Sequence, residues 1–332
     1  MRLYFAALAV FTLTLPGCAA MPSDTAMLTP PESQYDARLV DPQTGQVLSV
    51  PELASRLSET DVVVIGEFHG HHGSHLLQAR LQQALFQHNP AQILSMEQFN
   101  LDHQQALDDY LEGRLGETEM LEDAQAWDNY RASYRPVVEF ARQHHLPVIA
   151  ANAPADVVRC VGRQGPAYLD TLAPAQRDPL PDSPFLDTPA YKEKFVEAIQ
   201  GSHGTDNESL SERMRNTYRA QLLRDNTMAE RILHAREEHP NHQVIHLTGT
   251  FHSEERLGTV AVLEKRAPKL SVAVISPVVW ANDTEQMPLE DNRNRGDYLY
   301  FIQPLPEEYK DEDRRRKAMQ ARFSRSKPAD CD

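Results

Sequence analysis

The chain has 332 residues, enough for one large domain or two small ones with a real core. Its 33 basic and 48 acidic side chains leave a formal net charge of −15, which argues against nucleic acid and against an anionic lipid surface as partner. Only three cysteines are present, so there is no disulfide framework. Cys331, one residue from the end of a polar tail, is not expected to bridge Cys160.

In chain order, residues 1–17 carry one early charge, Arg2, followed by the apolar run from Leu3 to Phe11. This reads as a secretory signal peptide, too short to span a bilayer. It closes on Leu15-Pro16-Gly17-Cys18, which resembles the bacterial lipobox, with Pro16 departing from the usual pattern. Lipidation of Cys18 with several acyl chains would anchor the mature chain stably, whereas one chain alone binds marginally. Ala19 after the cysteine resembles the outer-membrane sorting pattern. The expected location is therefore the bacterial envelope, with the domain in the periplasm or at the cell surface. Residues 18–40 are rich in Pro, Ser and Thr and read as a flexible tether.

Strand-like apolar runs then alternate with helical patterns. Val62–Ile65, Gln92–Met96, Pro147–Ala151, Val244–Leu247, Leu270–Ile275 and Tyr298–Ile302 are continuous rather than alternating. Such runs suit strands buried on both faces, hence an α/β fold with a mostly parallel, doubly wound sheet flanked by helices. Helical stretches fit at 75–88, 120–144 and 255–266. No strand is legible between Ala155 and Asn226, where two helical patterns flank the Pro-rich Ala173–Pro189. The expected organisation is an α/β domain over 41–154 and 227–305, with a helical insertion, 155–226, between the third and fourth strands. Residues 306–332 form a charged, partly disordered tail. Its basic run, Arg314 to Lys317, reads as solvated rather than lipid-bound.

Ligands of open parallel sheets bind beyond the carboxyl ends of the strands. There the first strand ends in Gly66-Glu67-Phe68-His69, the second in Glu97-Gln98-Phe99-Asn100, the third in Asn152 and the fourth in Gly249-Thr250-Phe251-His252. Two Gly-x-x-His turns at strand ends, beside Glu67 and Glu97, make His69 and His252 candidate crevice residues. The run His69-Gly70-His71-His72-Gly73-Ser74-His75 also has metal-binding composition, although much of it would open a helix with Ser74 near its cap. Asp225 falls on the apolar face set by Tyr218, Leu222, Ala229 and Ile232. A carboxylate there needs a partner; Gln221 lies one turn before it, and an arginine is the structural alternative.

These segments carry a resemblance. Val64–His69, Met96–Phe99, Ala151–Pro154, Ala220–Ala229 and Leu247–His252 resemble the ChaN-like haem-binding lipoprotein family. That family belongs to a wider superfamily with the Tiki proteins and erythromycin-esterase-like enzymes. Phe251 and Gly70 depart from the usual pattern. The resemblance implies haem binding in an iron-uptake system serving an outer-membrane haem receptor or transporter, a dimer formed around haem, and a tyrosine of the insertion as iron ligand. A phenolate suits ferric haem. Tyr191, with His203, looks most like the family; Tyr168 stays open, and Tyr218 lies on the predicted core face. Lys192, Lys194 and His203 are candidate propionate partners. The competing reading is a metal-dependent esterase or peptidase, with Glu67 as base and His69, His252 and Glu97 holding metal or substrate, Asp225 being a further metal candidate. A structural lipoprotein is the third. The chain lacks H-E-x-x-H and G-x-S-x-G, which weakens the hydrolase reading.

Overall fold

The structure, a computed structural model, describes residues 29–203, 211–281, 286–325 and 331. The expected signal peptide, Cys18 and the tether up to residue 28 lie outside the described residues. Strand β1 (Arg38–Val40) and strand β2 (Val47–Leu48) open the domain, followed by helix α1 (Val50–Leu57) and strand β3 (Val62–Glu67). The last residues of the expected tether are thus a sheet strand. Two short antiparallel pieces of three and two residues carry too little pattern to stand out from their Pro-rich approach.

Helix α2 (His72–His88) and strand β4 (Gln92–Asn100) come next. His71, not Ser74, caps α2: its Nδ1 accepts the Gly73 N–H at 3.1 Å while its Nε2 faces the Gln303 carbonyl at 2.8 Å. The expected helix over 120–144 is broken. Helices α3 (Gln104–Leu111), α4 (Glu117–Asp123), α5 (Tyr130–Ser133) and α6 (Arg135–Gln143) lead instead to strand β5 (Val148–Asn152).

Helices α7 (Ala155–Gln164), α8 (Pro174–Arg177) and α9 (Pro189–His203) form the insertion. Helix α10 (Glu212–Glu238) begins in it, capped by Ser211, whose hydroxyl accepts the Met214 N–H. The helix does not stop at 226, because neither Gly nor Pro interrupts residues 212–238. Its later residues Ala229, Ile232 and Ala235 pack on Val62, Val64 and Val244 of the sheet. Strand β6 (Gln243–Gly249), helix α11 (Thr259–Arg266), strand β7 (Val272–Val279), strand β8 (Tyr298–Ile302) and helix α12 (Glu312–Arg325) complete the order.

The strands form one eight-stranded sheet in the order β2-β1-β8-β7-β3-β6-β4-β5. From β8 to β5 every pairing is parallel, and only β1 pairs antiparallel, with β2 and β8. Both faces are covered, which is why the strands read as continuous apolar runs. Val63, Ile65, Leu94, Met96, Ile245 and Leu247 face α1, α2 and α6; Val62, Val64, Ile93 and Val244 face α10 and α11.

The tail folds back. Cys331 is bridged to Cys160 of α7, with their Cα atoms 5.5 Å apart, and the Gln164 amide donates to the Cys331 carbonyl at 2.9 Å. This overturns the expectation of an unbridged Cys331, since distance along the chain says nothing of distance in space. Among the described residues no helix is long and apolar enough to cross a membrane.

Candidate functional site

Strand parity decides which side each carboxylate takes. Glu67 continues the row of Val63 and Ile65 toward α2 and α6. Glu97 and Thr248 continue the rows of Ile93 and Val244 toward α10. Two buried acidic clusters therefore lie on opposite faces of one sheet and approach each other at its carboxyl edge.

On the first face Glu67 is fully enclosed. Its carboxylate lies 2.7 Å from Nδ1 of His69 and accepts from the Tyr134 hydroxyl at 2.6 Å, the Gln78 amide at 2.5 Å and the Gln98 amide at 3.3 Å. Burial alone would raise the Glu67 carboxyl, but the His69 hydrogen bond, the charges of His75 and His69 and the Tyr134 hydroxyl together outweigh it and hold the group below its usual range. For His69 burial pulls down and Glu67 pulls up more strongly, so the imidazole is raised. Its side chain is 44% exposed, with Trp127 edge-on at 4.9 Å. Nε2 points over Gly249, where an added Cβ would sit 2.8 Å away. Glycine at 249 is thus required for the ring to lie there.

On the second face Glu97 accepts from the Thr248 hydroxyl and the Gly249 N–H, each at 2.7 Å, and lies 3.5 Å from Nε2 of His252. Burial raises this carboxyl, yet the charges of His252 and His69 hold it at about 2. Nδ1 of His252 meets Asp225 at 2.8 Å. Burial lowers His252, but Glu97 and Asp225 raise it above its ordinary value. Asp225 also accepts from the Tyr191 hydroxyl at 2.6 Å and the Thr259 hydroxyl at 2.9 Å. The carboxylate on the apolar face has its partners, and they are a histidine and two hydroxyls rather than an arginine. The Gln221 amide bridges Tyr191 and His252, at 3.2 Å from each. Arg224 lies among the same charges, lowered by burial against the pull of Glu97 and Asp225.

The arrangement brings Glu67, His69, Glu97, His252 and Asp225 to one edge, each histidine held at Nδ1 by its own carboxylate. It does not gather them as metal ligands: among the described residues no three His, Cys, Asp or Glu converge on a metal position. The set of Glu67, His69, His252 and Asp225 is split between the two faces. The histidine run disperses too. His71 caps α2, His72 stacks on Tyr35 at 5.3 Å and His75 bonds Gln78 at 3.1 Å. Sequence reasoning missed Gln78, Gln98, Tyr134, Thr248 and Thr259. Gln78 is buried on α2 among Leu77 and Leu81, a polar residue on an apolar face that signals a partner. Nothing local marks Tyr134.

Tyr191 does not suit the role of iron ligand. It is 2% exposed, its hydroxyl is spent on Asp225, and burial beside that carboxylate pushes the phenol well above its ordinary value, away from phenolate. Tyr218 is enclosed and bonded to Asp187. Tyr168 is half-buried and packs, as the partly buried Leu101, Leu172 and Phe185 do, against one apolar cluster that includes Leu169 and Leu180. Lys192 stays exposed, while Lys194 is taken by Glu254 at 2.9 Å. His203 ends α9, and its side chain lies outside the described residues.

A family model described as haem-binding uptake, Tiki superfamily, ChaN, matches residues 53–263. No curated protein matches the chain. Among solved structures, cofacial haem binding to ChaN of Campylobacter jejuni is described for a chain 16% identical, with a TM-score of 0.61, covering 83% of this chain and 100% of that one. A mutant of the erythromycin esterase EreC in its open conformation is 13% identical, with a TM-score of 0.43 and coverage of 74% and 77%. RRSP, a MARTX toxin effector domain from Vibrio vulnificus, is 13% identical, with a TM-score of 0.39 and coverage of 77% and 38%. The first likeness shows a common α/β fold.

Proposed function

Because this chain belongs to the haem-binding uptake family of the Tiki superfamily typified by ChaN, we propose that it holds haem at the bacterial envelope, tethered there by lipid on Cys18. The family match over residues 53–263 carries this reading. We assign the iron to Tyr168 rather than Tyr191. An iron ligand needs a phenol oxygen that incoming haem reaches, and a porphyrin needs apolar surface beside it. The half-buried Tyr168 ring with Leu101, Leu172 and Phe185 fits both demands. The exposed Lys192 is the candidate cation for a propionate.

Titration of the purified mature chain with ferric haem tests the assignment. A high-spin spectrum with a phenolate charge-transfer band is expected, lost in Tyr168→Phe and retained in Tyr191→Phe, Glu67→Gln and His252→Ala. An unchanged Tyr168→Phe spectrum removes tyrosine ligation at this position. Sedimentation with and without haem tests dimer formation. For the anchor, Cys18→Ser should move the protein out of the membrane fraction.

The paired histidines favour a second reading, general acid–base hydrolysis at the sheet edge. Nδ1–H bonds to Glu67 and Asp225 would fix both rings, leaving Nε2 of His69 to exchange a proton while Nε2 of His252 faces Glu97 at 3.5 Å. Turnover of ester or peptide substrates that disappears in Glu67→Gln and His252→Ala supports it; equal turnover in those variants sinks it.

A further inference from the structure

We propose that the face from which the N-terminal segment leaves the domain is a lipid-docking surface, on which helix α12 lies against anionic phospholipid headgroups. Three observations meet there. First, among the described side chains α12 carries four basic residues, Arg314 to Lys317, in a chain whose net charge is −15; its two acids, Glu312 and Asp313, fall in the first turn and pair with Arg315 and Arg316. Arg314, Arg315, Arg316 and Lys317 are all exposed.

Second, the start of the segment that leads from β8 to α12 is stitched to the root of the N-terminal segment. The Gln34 amide donates to the Pro304 carbonyl at 2.9 Å, and the Gln303 amide donates to the Pro31 carbonyl at 2.8 Å. Whatever holds the N-terminus therefore also holds this face. With Cys18 lipidated, the eleven residue-to-residue steps from it to residue 29 span at most about 40 Å, at roughly 3.6 Å each. The orientation, though not the binding, rests on that anchor.

Third, three of the five exposed large apolar side chains among the described residues belong to these segments. Tyr35 is 59% exposed, Leu305 47% and Met319 54%. Tyr35 and Leu305 adjoin the bonded pair Gln34 and Pro304. Met319 follows Arg315 and Arg316 by four and three residues, so it rises among their charges on one helix face. A large apolar group set among cations, as Met319 is, with Tyr35 and Leu305 exposed nearby in the chain segments that lead here, suits the headgroup boundary of a bilayer better than a polyanion in water, which is why lipid is chosen over nucleic acid. The net charge of −15 does not forbid this. At about 0.15 M salt the screening length is roughly 8 Å, so a surface senses the nearest charges and not the sum.

The test uses the mature chain from residue 19, which removes only residues outside the described fold and leaves no acyl group. Flotation is measured with vesicles of phosphatidylcholine alone and with about 30% phosphatidylglycerol added. At least about tenfold stronger binding to the anionic vesicles is expected, lost at about 1 M salt, where screening falls to roughly 3 Å. Arg314→Gln, Arg315→Gln, Arg316→Gln and Lys317→Gln together should lower binding by about tenfold or more with an unchanged melting temperature. Should that variant misfold, Glu312→Gln with Asp313→Asn is the second reading, and it should strengthen binding. No preference for anionic vesicles, or no response to either variant, overturns the proposal. So does tighter binding to a short DNA duplex than to the vesicles. Because the protein carries no lipid, these outcomes are independent of whether Cys18→Ser releases the chain from membranes.

Discussion

Asp225 shows how much one buried charge organises. It joins α10 to His252, to Tyr191 of α9 and to Thr259 of α11. Asp225→Asn removes one of the two carboxylates that face His252, Glu97 being the other, and removing one partner of a buried pair costs about 3–5 kcal/mol. Denaturant unfolding should show that loss, and NMR titration should show His252 falling from its raised value. Tyr191→Phe removes one hydrogen bond and should cost only about 1 kcal/mol. The same residues set the pH dependence. Glu97, held at about 2 against an ordinary 4.5, contributes stability above 4.5 that is lost as pH falls from there toward 2. His69 and His252 are raised above 6.5, so their contribution is complete below 6.5 and is lost as pH rises through their folded values. Thermal melts across pH should peak between about 4.5 and 6.5 as far as these groups decide it. Glu97→Gln should flatten the acid limb; an unaltered limb would place the acid-sensitive group elsewhere.

At the level of elements, the edge of the sheet and the tail each carry a test. Strand β5 is an outer strand, and the Gln104 side chain covers it as a strand would. Its Oε1 accepts the Ala150 N–H and its Nε2 donates to the Val148 carbonyl, both at 2.8 Å. An unprotected edge templates pairing with another chain. Gln104→Ala should therefore raise light scattering on heating more than it lowers the melting temperature. The Cys160–Cys331 bridge closes just over half of the chain, a separation of 171 residues. Cys331→Ser, or reduction, should lower stability by about 2–4 kcal/mol. Equal stability with and without reductant would mean that the tail contributes nothing to the fold.

Over the whole molecule, the doubly wound sheet sets the functional geography. Its parallel strands all deliver their carboxyl ends to one edge, where Glu67, Glu97, Gly249 and the following loops meet. The insertion supplies Tyr168, which packs on an apolar cluster with Leu169 and Leu180 rather than on the enclosed carboxylates. The two proposed roles, haem holding by Tyr168 and acid–base chemistry by Glu67 and His252, rest on different residues, so one can fail without the other. The spectra of Tyr168→Phe and Glu67→Gln separate them: loss of the haem band in Glu67→Gln alone would put the haem at the sheet edge.

The sequence by itself determined the six parallel strands, because strands buried on both faces need unbroken apolar runs such as Val62–Ile65 and Val244–Leu247. It also determined which residues end those strands, and that Asp225 on an apolar helix face needs a partner. Only the tertiary structure decided who that partner is. The same holds for the side of the sheet taken by Glu67 and Glu97, the burial of Tyr191, the split of the candidate metal set and the Cys160–Cys331 bridge. The antiparallel β1 and β2 also belong here, since strands of three and two residues are held by pairing with β8 across the chain. Periodicity is a local property and is written in neighbouring residues. Partnership joins residues tens to hundreds of positions apart, and the packed fold settles it.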